Sequence, residues 1–107
     1  MINLEDFRKL EIRIGRVKSV EKVKGADKLL KFVFDLGGEE RQILSGIAEF
    51  YTDLSALVGI EMPILVNLES RIIRDLESNG MVLCADADGR PVILHPESDV
   101  PPGSIVK

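Results

Sequence analysis

An apolar side chain recurs at every second position of the stretch Leu30-Lys31-Phe32-Val33-Phe34-Asp35-Leu36. This period of two predicts a β-strand that buries one face. Gly37-Gly38 follows and predicts a hairpin turn, after which residues 41–45 return as a strand with Ile43 facing inward. The centre of the chain is therefore predicted to be an antiparallel β-hairpin.

A longer strand is predicted upstream, over residues 11–23. Its apolar residues change from even to odd positions between Ile14 and Val17, and Gly15 lies at this change. A glycine at such a point is typical of a bulge or a sharp bend. A turn follows before the strand at residue 30, and Asn3 begins a short helix ahead of the first strand. The first three strands therefore form an antiparallel meander.

The second half of the chain predicts shorter elements. Thr52-Asp53 opens a helical turn, and residues 61–67 form a fourth strand in which Pro63 indicates an edge or a strand start. A fifth strand over residues 80–85 leads to a hairpin turn at residues 86–89, and the C-terminal tail is extended.

Three strands, a short helix and two strands predict an all-β fold: a five-stranded OB barrel with short helices and extra C-terminal strand and tail segments. A small SH3-like barrel is the alternative, and the helix between Thr52 and Leu57 favours the OB fold. The chain has 107 residues, of which 45% are hydrophobic, which is enough for one core. Residues 1–107 are therefore predicted to form a single domain.

The sequence also bears on compartment. It contains no apolar run of about 18 residues, and its N-terminus lacks the basic-then-apolar layout of a signal peptide. A single cysteine cannot form an internal disulfide, which fits a reducing compartment. We therefore predict a cytosolic protein with no membrane partner.

Few side chains suit catalysis or metal binding. The only histidine, His95, stands beside Pro96, and Cys84 lies in an apolar strand, where free cysteines usually belong to the core. One histidine and one cysteine cannot build a structural zinc site, and Asp86-Ala87-Asp88-Gly89 is chiefly a turn sequence. The chain is predicted not to be an enzyme, with no catalytic residue, no metal and no cofactor.

Positive charge is concentrated near the N-terminus. Nine of the fourteen basic residues lie between Arg8 and Lys31 against three acidic ones, so this segment carries +6 while the whole chain carries −4 and the remainder −10. One surface could thus meet an anionic partner, although solubilising lysines on a wet strand face are an equally ordinary explanation. Alternation sends Arg13 and Lys31 outward, and Arg41 joins them on the third strand, on the side where OB folds face their ligands.

Aromatic rings are scarce. Phe32 and Phe34 share the parity of the buried face, which leaves Phe50 and Tyr51 as candidates for stacking on bases. We expect these two rings to plug the end of the barrel instead. The sequence therefore predicts a binder of folded RNA that uses shape and phosphate contacts.

Several short sequence motifs occur one after another along nearly the whole chain. They are Ile12-Arg13-Ile14-Gly15-Arg16-Val17, Ala26-Asp27-Lys28-Leu29, Ile43-Leu44-Ser45-Gly46-Ile47, Leu57-Val58-Gly59, Asn67-Leu68 with Glu77-Ser78-Asn79-Gly80-Met81, and Pro101-Pro102-Gly103. Together they resemble the tRNA-binding OB domains found at the C-terminus of methionyl-tRNA synthetases, in the free beta-subunit form and in EMAP-II-like cytokine precursors. Each motif is weak alone, but the ordered set is specific.

The resemblance implies a non-catalytic, sequence-independent tRNA-binding module that acts in trans or as an accessory subunit of methionyl-tRNA synthetase. It also implies a homodimer formed through residues 1–10 and 100–107. Family members tend to hold tRNA around the loop that corresponds to residues 67–81. With the outward bases and Lys28 added, the candidate RNA-binding residues are Arg13, Lys28, Lys31, Arg41, Asn67, Arg71, Arg74 and Ser78.

This chain departs from the family pattern in that loop. Glu69 and Ile72 stand where the family has lysines, Ser70 replaces a proline, and Asp75 replaces a glycine. Each lost phosphate contact lowers both the affinity and its salt dependence. The alternative is therefore an OB-fold protein-interaction or chaperone-like module that has lost strong RNA binding. The chaperone-like branch of the family lacks the Ser-x-Gly-Met ending seen here, which argues against close kinship with it.

Overall fold

The computed structural model describes all 107 residues, Met1–Lys107, and is mostly β-structure. Two 3₁₀ turns, Ala48–Phe50 and Leu54–Leu57, interrupt the strands. The other elements are α1 (Leu4–Arg8), β1 (Ile12–Val23), β2 (Ala26–Asp35), β3 (Glu40–Ser45), β4 (Glu61–Leu65), β5 (Arg71–Ile73), β6 (Leu76–Ser78), β7 (Met81–Val82), β8 (Cys84–Ala87), β9 (Arg90–Ile93) and β10 (Ile105–Val106). None of the helices has the length and apolar character needed to span a membrane.

The main sheet has the strand order β3-β2-β1-β4-β7, and β10 pairs with the start of β1. The long strand β1 pairs with two neighbouring strands of the sheet. Residues 12–16 pair with β4, and residues 16–23 pair with β2. The β1–β2 ladder shifts register between Val17 and Ser19 and again between Lys22 and Val23, so the bulge predicted at Gly15 lies a few residues further on. Gly15 is needed for packing, because a Cβ there would come within 3.0 Å of Phe34 and 3.1 Å of Ile64.

The core lies on the inner face of this curved sheet. Its fully buried side chains include Leu30, Phe32, Phe34, Ile43 and Met62, which confirms the inward parity predicted for β2 and β3. The rings of Phe32 and Phe34 stack with centroids 5.2 Å apart. Burying an aliphatic or aromatic side chain contributes about 1.5–3 kcal/mol, so this cluster is the main source of stability.

The two ends of the sheet meet through hydrogen bonds rather than through a strand ladder. Asn79 N donates to Gln42 O at 2.9 Å, and Gln42 Nε2 donates to Glu77 O at 2.9 Å. The all-β prediction is confirmed. The path of the main sheet has five strands, and the C-terminal strand β10 is added to it, as predicted. Continuous pairing does not close the sheet into a barrel.

Two local predictions are revised. The turn opened by Thr52-Asp53 is a 3₁₀ turn, and the Asp53 carboxylate accepts from Ser55 Oγ at 2.7 Å instead of capping the backbone. Pro63 lies inside the sheet, because β4 has β1 on one side and β7 on the other. Its partner Ile14 bonds to the backbone of residues 103–104, so the missing proline N–H costs no bond to β1.

Helix α1 forms as predicted. Asn3 Oδ1 accepts from Asp6 N at 2.9 Å, and the Asp6 carboxylate accepts from Asn3 N at 3.4 Å. This reciprocal cap satisfies two backbone donors that a helix of five residues would otherwise leave free.

Candidate nucleic-acid interface

Six of the fourteen basic side chains are held in ion pairs. The pairs are Lys9–Asp6, Arg13–Glu11, Arg16–Glu61, Lys18–Glu40, Lys31–Glu21 and Arg41–Glu39. The hydrogen bond to Glu40, together with its charge, also raises the pKa of Lys18. A paired cation is already neutralised locally, so it offers less to a phosphate than a free one does.

Five of the eight basic side chains without an ion pair lie on two hairpins whose tips meet. Lys28 and Arg74 line one hollow of about 390 Å³, which is completed by the β1–β2 turn. Neighbouring unpaired bases on the same two hairpins complete this surface, which we name the two-hairpin end: Lys22, Lys24, Lys28, Arg71 and Arg74. Of the eight residues predicted from the sequence, the structure leaves three free there.

The second hairpin of this pair, β5–β6, falls where the sequence predicted a loop. Its strands have three residues each, and its turn uses Arg74 and Asp75 at φ +52° and +65°. Two successive positive φ values describe a type I′ turn, which favours asparagine and glycine rather than arginine. The sequence therefore carried no strong turn signal at this position.

Arg41 and Ser78 hold this hairpin in place. Arg41 Nη1 donates to Val66 O at 2.6 Å and to Asn79 O at 3.3 Å, one carbonyl on each side of the hairpin. Ser78 is 1% exposed, and its Oγ accepts from Leu44 N at 3.0 Å. Both side chains are therefore committed to the protein, and Ser78 has no surface to offer an RNA.

Asn67 has a similar structural commitment. Its Oδ1 accepts from Glu11 N at 2.8 Å, and its Nδ2 donates to Lys9 O at 2.7 Å. The amide thus fastens the end of β4 to the linker between α1 and β1. These bonds could not be predicted from local sequence, because their partners lie more than fifty residues away along the chain.

Arg13 and Lys31 do not share a neighbourhood, contrary to the prediction. Arg13 binds Glu11 Oε2 at 2.7 Å and Gly103 O at 2.8 Å. Lys31 lies opposite Glu21, with a 2.6 Å ion pair between them. Glu21 is eight residues from Arg13 along β1, a distance of roughly 26 Å in an extended strand.

The charge of the two-hairpin end is uneven. Its β1–β2 tip carries three lysines against Asp27, whereas residues 69–77 carry two arginines against Glu69, Asp75 and Glu77. The positive excess therefore comes from the β1–β2 tip. None of these acids forms an ion pair with Arg71 or Arg74.

The side chains considered for catalysis are dispersed. His95 Nδ1 lies 3.0 Å from Glu61 O, and burial raises the pKa of the Cys84 thiol, which is the opposite of what a nucleophile needs. No group of three or more His, Cys, Asp or Glu side chains converges.

The two aromatic rings after β3 behave differently from each other. Tyr51 plugs the structure as predicted, since its hydroxyl donates to Pro91 O at 2.9 Å and accepts from Ile93 N at 3.2 Å. Phe50 is 43% exposed and is not packed against the core, so the prediction that its ring plugs the end of the barrel is wrong.

Comparison with known proteins identifies the family. The family model described as "Putative tRNA binding domain" matches residues 12–105. The chain belongs to this family. The match confirms the resemblance seen in the sequence motifs, and with it the tRNA-binding class of the domain.

Curated relatives show where such a domain occurs. The chain is 50% identical over 105 residues to methionine–tRNA ligase of Archaeoglobus fulgidus and 48% identical over 107 residues to that of Streptococcus pneumoniae. In both cases 98% of this chain is covered, but the match spans only 16% of the relative's length.

Solved structures match the whole chain. A MetRS related protein from Pyrococcus horikoshii gives a TM-score of 0.94 at 32% identity, covering 100% of this chain and 98% of that one. The chaperone CsaA from Bacillus anthracis gives 0.89 at 27% identity, covering 100% and 99%. The β-rich, OB-like fold is therefore shared with both.

Proposed function

We propose that residues 1–107 act as one non-catalytic module that binds tRNA by shape and phosphate charge in the cytosol. It would act in trans or as an accessory subunit of methionyl-tRNA synthetase, because its relatives at 45–50% identity are methionine–tRNA ligases. The observation that carries the proposal is the convergence of Lys28 and Arg74, both free of ion pairs, in a member of this family.

The residues predicted from the sequence divide into two roles in this proposal. Lys28, Arg71 and Arg74 contact phosphates, with Lys22 and Lys24 beside them. The other five have structural roles, because each already makes a hydrogen bond or ion pair within the protein: Arg13, Lys31, Arg41, Asn67 and Ser78. Phosphate contacts position a nucleic acid without reading its sequence, which suits a binder of many tRNAs.

A salt titration of bulk tRNA against the wild-type chain tests the proposal. Each phosphate neutralised contributes about 0.7–0.9 to the slope of log K against log salt, so five contacts give a slope of roughly −3.5 to −4.5. Purified single tRNAs should give similar slopes and affinities. Absence of binding at low salt, or binding that ignores salt, would reject the proposal.

We also propose that two copies pair through their terminal segments. Six of the thirteen large apolar side chains that remain exposed belong to these segments: Met1, Ile2, Leu4, Leu10, Ile105 and Val106. Helix α1 and strand β10 together line a groove of about 560 Å³. Exposed apolar side chains concentrated in one place are typical of an interface, and a second copy presents the same groove.

Ile105→Glu is expected to halve the molecular mass measured by light scattering. Ile105 is 58% exposed in one copy, so the substitution leaves the fold intact while placing a charge in the interface. Val58→Glu is the matched control, since Val58 is 52% exposed but lies outside the groove. A wild-type chain that is monomeric, or equal masses for the two variants, would contradict the dimer.

Protein binding is the second candidate function. Ile72, on β5, is 69% exposed where the family pattern has lysine, and the chain matches the structure of the chaperone CsaA from Bacillus anthracis. Purification with a bound protein but a low ratio of absorbance at 260 to 280 nm would favour this candidate over tRNA binding.

A further inference from the structure

A second hollow, of about 300 Å³, lies outside the two-hairpin end. Phe50, at the end of the first 3₁₀ turn, lines it together with Cys84 of β8 and Pro91 of β9. Phe50 is not among the side chains packed against the core, so its ring is available to a ligand. An exposed aromatic ring beside a concave surface is the usual platform on which OB folds stack bases.

The two sides of this hollow are fixed relative to each other. Tyr51, the residue after Phe50, bonds through its hydroxyl to Pro91 O and Ile93 N on the opposite hairpin. The β8–β9 turn is closed by Asp86 Oδ1, which accepts from Gly89 N at 2.6 Å. The site is therefore formed before a ligand binds, and binding would cost little conformational entropy.

The hollow borders the proposed phosphate-binding surface. Gly46 lines the hollow, and a Cβ added to Gly46 would lie 4.0 Å from the carbonyl oxygen of Lys28. Lys28 in turn lines the neighbouring hollow with Arg74. A nucleotide whose phosphate sits on Lys28 could thus place its base beside Phe50.

We propose that this hollow is a stacking site for one unpaired nucleobase of the bound RNA, an inference that rests on the proposed tRNA binding. Its lining suits a base better than a phosphate. Phe50 and Pro91 supply apolar faces, whereas the carboxylate of Asp86 repels phosphate and can accept hydrogen bonds from a base amino group. Sequence-independent capture by phosphates would then be joined by recognition of a single-stranded position.

The first test compares short oligocytidine with an abasic oligomer of equal length. Phe50→Ala is expected to weaken oligocytidine binding about 5- to 30-fold and to leave the abasic oligomer unaffected. Phe50→Leu keeps apolar bulk without the ring, so it should lose nearly as much affinity as Phe50→Ala. Equal affinity of wild type for the two oligomers would overturn the stacking site.

A fluorescent variant reports stacking directly. The chain contains no tryptophan, so Phe50→Trp introduces a single indole at the site. Oligocytidine is expected to quench its fluorescence and the abasic oligomer is not, while Val58→Trp, exposed elsewhere, should respond to neither. Quenching that depends on protein concentration alone would assign the hollow to a second copy of the chain and overturn the proposal.

The wild-type chain offers an independent footprint. Cys84 is its only thiol and lines the hollow, so oligocytidine should slow alkylation of Cys84 by iodoacetamide. The reaction needs a mildly alkaline pH, since burial raises the pKa of this thiol and the thiolate is the reactive form. Equal protection by the abasic oligomer would count against a base in the hollow.

The proposal can fail separately from the proposed function. Salt-dependent binding of tRNA without binding of oligocytidine would remove the stacking site and leave tRNA binding intact. Failure to bind tRNA, oligocytidine and the abasic oligomer at low salt would reject both.

Discussion

Replacing Lys28 and Arg74 together by alanine is expected to weaken tRNA binding roughly 100-fold at low salt. A hydrogen bond to a charged group contributes about 1.5 kcal/mol at the lower end of its range, which is about tenfold for each side chain. The slope of log K against log salt should fall by about 1.4–1.8, because two counterion-releasing contacts disappear. Filter binding of bulk tRNA across a salt series measures both quantities.

The structure supplies a charge-matched control for this double variant. Lys18→Ala with Lys31→Ala removes the same net charge, but both lysines are already paired, with Glu40 and Glu21. We expect less than about a threefold loss of affinity from this pair, since only the long-range field changes. Equal losses in the two double variants would mean that net charge, rather than the two-hairpin end, governs binding.

Regular segments of this chain were predictable because local pattern decides them. The alternation in β2, the glycine turn before β3 and the cap at Asn3 all act within a few residues, and each appears in the structure. The buried set of β2 followed from parity alone. Such local agreement between pattern and fold is what a foldable sequence requires.

The roles of the candidate site residues were less predictable because they depend on distant partners. Ser78 looked available from its motif, yet it is buried against Leu44, thirty-four residues earlier in sequence. Arg41 was expected to face a ligand, but its guanidinium bonds carbonyls on both sides of the β5–β6 hairpin. A single sequence shows residue type and spacing but not which donors are already satisfied.

The β5–β6 hairpin was missed for a different reason. Strands of three residues are too short to display a period of two, and the Arg74-Asp75 turn lacks the usual glycine. The hairpin forms because Arg41, Gln42 and Ser78 anchor it to β3 and the loops around it. Tertiary hydrogen bonds here override weak local preference, and they bring Arg74 to Lys28.

The second large effect concerns stability. Gly103→Ala is expected to lower the free energy of unfolding by about 3 kcal/mol, a large share of the 5–15 kcal/mol typical of a small domain. Gly103 has φ +91°, where a side chain costs about 1–2 kcal/mol, and the added Cβ would also overlap the carbonyl oxygen of Leu36. Overpacking of this kind adds about 1–3 kcal/mol.

Neither partner can easily move aside. The packing is reciprocal, since a Cβ on Gly37 would overlap the carbonyl oxygen of Pro102. Gly103 N donates to Ile14 O at 2.7 Å, and Ile14 N donates to Ser104 O at 2.8 Å, so the segment is bonded to β1 on both sides of the clash. The terminal Pro-Pro-Gly motif is therefore a packing device that holds the C-terminal segment against the β2–β3 turn.

Alanine substitutions at two other glycines distinguish the cost of backbone strain from the cost of steric overlap. Gly89 has φ +87° with nothing within 4 Å of an added Cβ, so Gly89→Ala should cost only about 1–2 kcal/mol. Gly38 has open space and no positive φ, so Gly38→Ala should change stability by less than about 0.5 kcal/mol. Urea midpoints at an unchanged m-value give the three costs. If Gly103→Ala lowers the free energy of unfolding no more than Gly89→Ala does, the C-terminal segment must be able to move away from the β2–β3 turn. The groove beside Ile105 would then lack a fixed wall.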